Sequence, residues 1–142
     1  MEQYLKIQRF MYGGDLRVVW DIEPELSEEQ IPKNMIQPLV ENALFHGLID
    51  QESGMLNGEL RIALQRADGG LLLTVRDNGV GIEPEKLEEL LRRTHRPDER
   101  GSKIGLSNIR SRLYYLYGSA DCLTIESAPG QGTTISIRFQ TF

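Results

Sequence analysis

Glu41 and Asn42 stand side by side within QPLVENALFHG (37–47), with His46 four positions beyond Asn42, in a stretch whose apolar residues suit a buried helix. A carboxylate or amide buried without a partner costs about 1–3 kcal/mol or more, so a ligand or another element must meet these groups. Three glycine-marked segments accompany them: DNGVGI (77–82), GSKIGLSN (101–108) and GQGT (130–133). Each has an ordinary reading alone. Glu41 and Asn42 suit a solvated helix edge, Asp-Asn-Gly after a strand suits a tight turn, and a glycine before a helix is common punctuation. All of them in one order, on these elements, point instead to one site built from several loops.

The elements that must position them follow from periodicity. EQYLKIQRFMY reads as a short helix with Leu5, Ile7, Phe10 and Met11 as contacts, ended by Gly13-Gly14. LRVVWDI (16–22) is a strand by its β-branched and aromatic content, and the acidic EPELSEEQ is a loop. The next helix starts near Pro32 and runs to Gly47, with Pro38 either kinking it or marking its true start. Residues 49–57 read as a surface loop. GELRIALQRA alternates as a strand, Asp68-Gly69-Gly70 turns the chain, and LLLTVRD returns as a more fully buried strand. EPEKLEELLRR is a helix and THRPDERGSK a polar loop. IGLSNIRSRLYYLYG is a third substantial helix, and DCLTIES and TTISIRF are strands joined by APGQG. This order predicts an α+β, two-layer α/β sandwich: a mostly antiparallel mixed sheet covered on one face by helices.

Bulk properties bound the function. The 142 residues suit one domain, and 39% hydrophobic with 26% charged residues is ordinary for a globular chain. No apolar run approaches a membrane span, and no signal-peptide pattern opens the chain. The single cysteine, Cys122, excludes an internal disulfide, and with two histidines it argues against structural zinc. A net charge of −5 disfavours nucleic acid, and an anionic ligand would need a metal ion or local basic residues.

QPLVENALFHG, VRDNGVGI, GSKIGLSNIRSRL and GQGTTISI resemble the N box and the three glycine boxes of the GHKL ATP-binding superfamily. The likeness is greatest to sensor histidine kinases of the YesM/LytS type, where a run like YLxIQxxRYGxxL precedes one like IPxxxIQPLVENAxxHG, and it spans the chain from Tyr4 to the last strand. The resemblance implies a Bergerat-type ATP-binding fold, with ATP and Mg²⁺ as cofactors. Asn42 would offer its amide oxygen to Mg²⁺, and Glu41 would act as general base or orient the nucleophile. His46 would reach phosphate or ribose, or simply cap the helix end. Asp77 would accept the adenine amino hydrogen, with Ile82, Leu106 and Ile36 as apolar walls. Gly79 and Gly81 would let the backbone approach the base, and Thr133 or Thr134 would add a hydroxyl. Gly101 and Gly105 would aim lid amides at phosphates, with Lys103 as the phosphate cation.

Two positions depart from the pattern. Phe45 stands where many histidine kinases carry lysine, and Lys103 replaces the middle glycine of the lid. Arg92, Arg93, Arg96, Arg100 and Lys103 make the lid the most basic stretch. Neither His46 nor His95 suits a phosphoacceptor. Residues 1–12 therefore read as the tail of a linking, dimerisation helix and 13–142 as the catalytic domain. The implied activity is transfer of the ATP γ-phosphoryl group to a histidine on the dimerisation and phosphoacceptor domain of the same kinase. The implied setting is cytoplasmic, in a membrane-anchored protein that feeds a response regulator, with no nucleic acid partner and no direct membrane contact by this segment. A free-standing anti-sigma-type GHKL serine kinase and a nucleotide-sensing module without turnover are the alternatives.

Overall fold

The computed structural model describes residues 2–27, 31, 35–50, 52–67, 69–92, 109, 113–115 and 122–140. Helix α1 (Glu2–Tyr12) leads into β1 (Leu16–Ile22); α2 (Ile36–Asn42) runs directly into a π-helical turn (Ala43–Leu48). The hairpin β2 (Gly58–Ala67) and β3 (Gly70–Asp77) follows, then α3 (Pro84–Arg92), β4 (Leu123–Ala128) and β5 (Gly132–Gln140).

The five strands lie in the order β1-β2-β3-β5-β4. β1 pairs parallel with β2, from Leu16↔Gly58 to Ile22↔Leu64, and the other pairs are antiparallel. A parallel pair needs a crossover, and here it carries α2 and the π-helical turn. Strand alternation then decides the core face. Leu60, Ile62 and Leu64 of β2, Leu71, Leu73 and Val75 of β3, and Ile135, Ile137 and Phe139 of β5 are all buried. Leu39, Val40, Leu44 and Leu48 meet them from the helical layer, joined by Ile109 and Leu113. The mixed, mostly antiparallel sheet with helices on it is the architecture the sequence predicts.

Three details differ from the sequence reading. The described part of the second helix begins at Ile36, so Pro38 lies in its first turn, where a missing N–H costs no helical bond. Residues 49–57 are not simply a surface loop: Ile49 and Leu56 form an isolated bridge, and Leu56 is fully buried. In α1 only Leu5 of the four expected contacts is buried; Ile7, Phe10 and Met11 are exposed, Phe10 by 92%. The docked face carries Tyr4, Leu5 and Tyr12 instead. A short helix with apolar side chains on two faces can bury only one of them here, and the tyrosines bring large rings that pack.

Candidate functional site

Asp77 ends the inward-facing series of β3, two residues beyond Val75, so strand alternation carries its carboxylate into the core layer. It is 3% exposed, and its cross-strand partner Thr133 is buried beside it at the start of the equivalent series in β5. The backbone N–H of Gly79 donates to Oδ1 at 2.9 Å, and that of Thr133 also donates to the carboxylate. Burial pushes the Asp77 carboxyl above its ordinary range, while the two N–H groups pull the other way. An ionised carboxylate offers about four acceptor sites, so two amides leave capacity for a further donor.

The chain around Asp77 is packed backbone to backbone. Asn78 clasps the strand end to β2: its Oδ1 accepts the Glu59 N–H at 2.7 Å, and its own N–H donates to the Glu59 carbonyl at 3.3 Å. Val80 N–H donates to the Gly47 carbonyl at 3.1 Å, and a Cβ on Gly79 would overlap that same carbonyl. Gly81 holds a positive φ of 75° against the Ala128 carbonyl, where a Cβ would also collide. A Cβ on Gly47 would lie 2.6 Å from Asp77 Oδ1. Gly47 is thus the joint between the helical layer and the end of β3.

Ser127 is a member of this site that the sequence reading missed. Its hydroxyl donates to the Gly132 carbonyl at 2.9 Å, accepts the Ile82 N–H at 2.8 Å and lies 2.8 Å from Thr133 Oγ1. It therefore ties the loop after β3 to the β4–β5 turn and fixes the hydroxyl expected near the ligand. A serine at a strand end carries no spacing signal; only the β4–β5 register, which sets Ser127 opposite Thr133, brings them together.

Glu41 and Asn42 occupy the last turn of α2, both half-buried. Gln37, one turn earlier, donates from Nε2 to Glu41 Oε1 at 2.9 Å. Partial burial first, and then the neighbouring Glu41 carboxylate, push the Tyr4 hydroxyl up to about 12. The π-helical turn starts immediately after Asn42, and such turns recur at functional sites. Within it His46 is exposed, whereas Phe45 packs edge-on against Tyr12 of α1 at 5.4 Å between ring centroids. Ile36 is buried at the start of α2 and Ile82 half-buried beyond the DNG turn. Gly101, Lys103, Gly105 and Leu106, with Arg93, Arg96 and Arg100, lie outside the described residues.

Comparison with known proteins matches residues 27–141 to the model of the histidine kinase-, DNA gyrase B-, and HSP90-like ATPase family. The chain is similar to the sensor histidine kinase YesM of Bacillus subtilis, 35% identical over 137 residues, which cover 96% of this chain and 22% of YesM. It is similar to the sensor protein LytS of Enterococcus faecalis, 30% identical over 137 residues, covering 96% of this chain and 23% of LytS. The chain spans less than half the length of these relatives. Its fold matches that of the blue-light activated histidine kinase of Erythrobacter litoralis EL346, with a TM-score of 0.62 at 19% identity over 97% of this chain and 39% of that one.

Proposed function

The chain belongs to the histidine kinase-, DNA gyrase B-, and HSP90-like ATPase family, and from that premise we propose how its residues divide the work of an ATP-binding histidine kinase domain. The observation that carries the reading is Asp77: a buried carboxylate with acceptor capacity left over by its partners among the described residues, at the junction of β3, Gly47 and Thr133. A buried charge of this kind is costly unless a ligand uses it, and perturbed carboxyls cluster at functional sites. Asp77 accepts the exocyclic amino hydrogen of adenine, and Thr133, steadied by Ser127, adds a hydroxyl beside it. Ile82 and Ile36 supply apolar surface for the base, and Gly79 and Gly81 keep the surrounding loop close enough to shape that surface.

Asn42 offers its amide oxygen to Mg²⁺, which prefers oxygen ligands and keeps several waters. Among the described residues no group of three or more His, Cys, Asp or Glu is placed to hold a metal. His46, exposed one turn on, is assigned to the phosphate or ribose side by the resemblance. Lys103, with the amides of Gly101 and Gly105, is assigned to the phosphates and Leu106 to the base on sequence alone. Bound ATP supplies the γ-phosphoryl group: its bond to the β–γ bridging oxygen breaks as a bond to the acceptor imidazole nitrogen forms, and ADP leaves. The imidazolium so formed sheds the proton of its other ring nitrogen, and Glu41 either accepts that proton or orients the attacking ring.

The acceptor histidine belongs to a dimerisation helix, and a response regulator receives the phosphoryl group next. We place the domain on the cytoplasmic side of an anchored sensor; among the described residues no helix is long and apolar enough to cross a membrane. The deciding experiment incubates the chain with Mg²⁺ and γ-labelled ATP, with and without a helix carrying an acceptor histidine in trans. The chain alone should bind ATP and label itself negligibly, and the helix should gain an acid-labile, alkali-stable phosphate. Acid-stable label on a serine of a partner would favour a serine kinase, and tight binding without transfer to any acceptor would favour a nucleotide sensor.

A further inference from the structure

The protons around Ser127 can be counted. A serine hydroxyl carries one proton and two lone pairs. Ser127 Oγ lies 2.9 Å from the Gly132 carbonyl, which can only accept, so the single proton goes there. The Ile82 N–H can only donate, and at 2.8 Å it occupies one lone pair. The contact that remains, 2.8 Å to Thr133 Oγ1, must then be made by the Thr133 hydroxyl donating to Ser127. Thr133 thus spends its proton on Ser127, and its Oγ1 keeps lone pairs alone for any further partner.

Asp77 stands directly opposite Thr133 in the β3–β5 ladder, and both side chains are buried on the core face. Opposite residues of an antiparallel pair hold their Cβ atoms about 4.5–5.5 Å apart. A planar amino group that makes two hydrogen bonds of about 2.9 Å reaches acceptors about 5 Å apart. The two side chains therefore stand at the spacing that one exocyclic amino group with two hydrogens requires. We infer that Ser127 is a positioning residue for base selection: by holding the Thr133 proton, it makes Asp77 and Thr133 a pair of acceptors that takes a 6-amino purine and rejects a 6-oxo purine. The inference rests on the reading of Asp77 as the adenine contact. A 6-oxo group would face two acceptors with no proton between them, and a buried acceptor left without a donor is costly.

The test titrates three nucleotides by calorimetry: ATP, purine riboside triphosphate, which has hydrogen in place of the amino group, and inosine triphosphate, which has oxygen there. Each preference is a ratio measured on one preparation, so a shared loss of stability cancels from it. In Thr133→Val the preference for ATP over purine riboside triphosphate should shrink about fivefold to tenfold from wild type, the scale of one hydrogen bond. In Ser127→Ala the freed Thr133 hydroxyl can turn its proton toward an oxo group, and the preference for ATP over inosine triphosphate should narrow about tenfold. A purely structural Ser127 would weaken all three nucleotides alike and leave the ratios unchanged. Asp77→Ala separates the two readings. If it loses the preference for the amino group while Thr133→Val and Ser127→Ala both keep wild-type ratios, the inference alone is overturned. If Asp77→Ala binds ATP as wild type does, with its preference intact, the adenine reading falls and the inference with it.

Discussion

Gly47 and Asp77 are packed so closely that a Cβ on the glycine would lie 2.6 Å from Oδ1, 2.7 Å from Cγ and 2.9 Å from Oδ2 of the carboxylate. No flexible chain end is available to yield, because Asp77 is buried and held by two backbone amides. Gly47→Ala should therefore displace Asp77 or the π-helical turn, costing about 1–3 kcal/mol of stability, the usual scale of overpacking, and weakening ATP binding at least tenfold. Chemical unfolding and ATP calorimetry on the same preparation check it. Unchanged values for both would mean that Gly47 only follows the chain past Asp77.

Burial of Asp77 also predicts a pH dependence. The folded carboxyl is raised above its ordinary value of 3.8, so its contribution to stability is fully present below that value and is lost as pH rises through the raised folded value. Asp77→Asn stays neutral and should flatten this part of the profile, leaving the ligand-free variant more stable than wild type near neutral pH. Thermal unfolding of both forms between about pH 3 and pH 8 measures the difference curve. Parallel profiles would remove the raised carboxyl from the account.

Ser127 joins three elements through one hydroxyl, to Ile82, Gly132 and Thr133. Ser127→Ala leaves a buried or half-buried donor and acceptor without their partner and should cost about 1–2 kcal/mol. Since Thr133 loses its anchor as well, ATP affinity should fall several-fold, and Thr133→Val should add little on top of Ser127→Ala. Fully additive losses in affinity would show that the two hydroxyls act independently.

These residues show what the sequence carried and what it did not. Alternation was legible in β2; LLLTVRD read as a more fully buried strand, because its three successive leucines mask the period-two burial of Leu71, Leu73 and Val75 that carries Asp77 inward. Of the two readings left open for Pro38, a kink or the true start, the helix that begins at Ile36 bears out the second. The π-helical turn, the Gly47–Asp77 contact and the Ser127–Thr133 pair depend on how separate segments meet, and no local period encodes that. In α1 the local signal misled: Ile7, Phe10 and Met11 have helical spacing, yet tertiary packing chose Tyr4, Leu5 and Tyr12.

Asn42 tests the metal. It sits half-buried at the last position of α2, beside Glu41, with its amide the only assigned protein ligand. ATP binding by the wild type should strengthen when Mg²⁺ is added, and Asn42→Ala should lose most of that gain while keeping binding of metal-free ATP. Paired titrations with Mg²⁺ and with a chelator separate the two. A variant that keeps the whole Mg²⁺ response assigns the amide to the helix and sends the metal elsewhere.

Phe45 bears on how α1 stays docked. Its edge-on contact with Tyr12 is of the geometry that contributes about 0.5–1.5 kcal/mol beyond simple area burial. Phe45→Lys, which introduces the residue expected from the family resemblance, exchanges that contact for a solvated cation. Amide hydrogen exchange across Glu2–Tyr12 should accelerate by roughly threefold to tenfold, with β2, β3 and β5 unaffected, since their buried residues do not depend on the ring pair. If the protection of α1 is unchanged, Leu5 and the packed Tyr4 ring hold the helix without Phe45. If the strands lose protection as well, the substitution has disturbed the core rather than the docking, and Phe45→Leu, which keeps apolar bulk but removes the ring pair, becomes the cleaner measure of the contact.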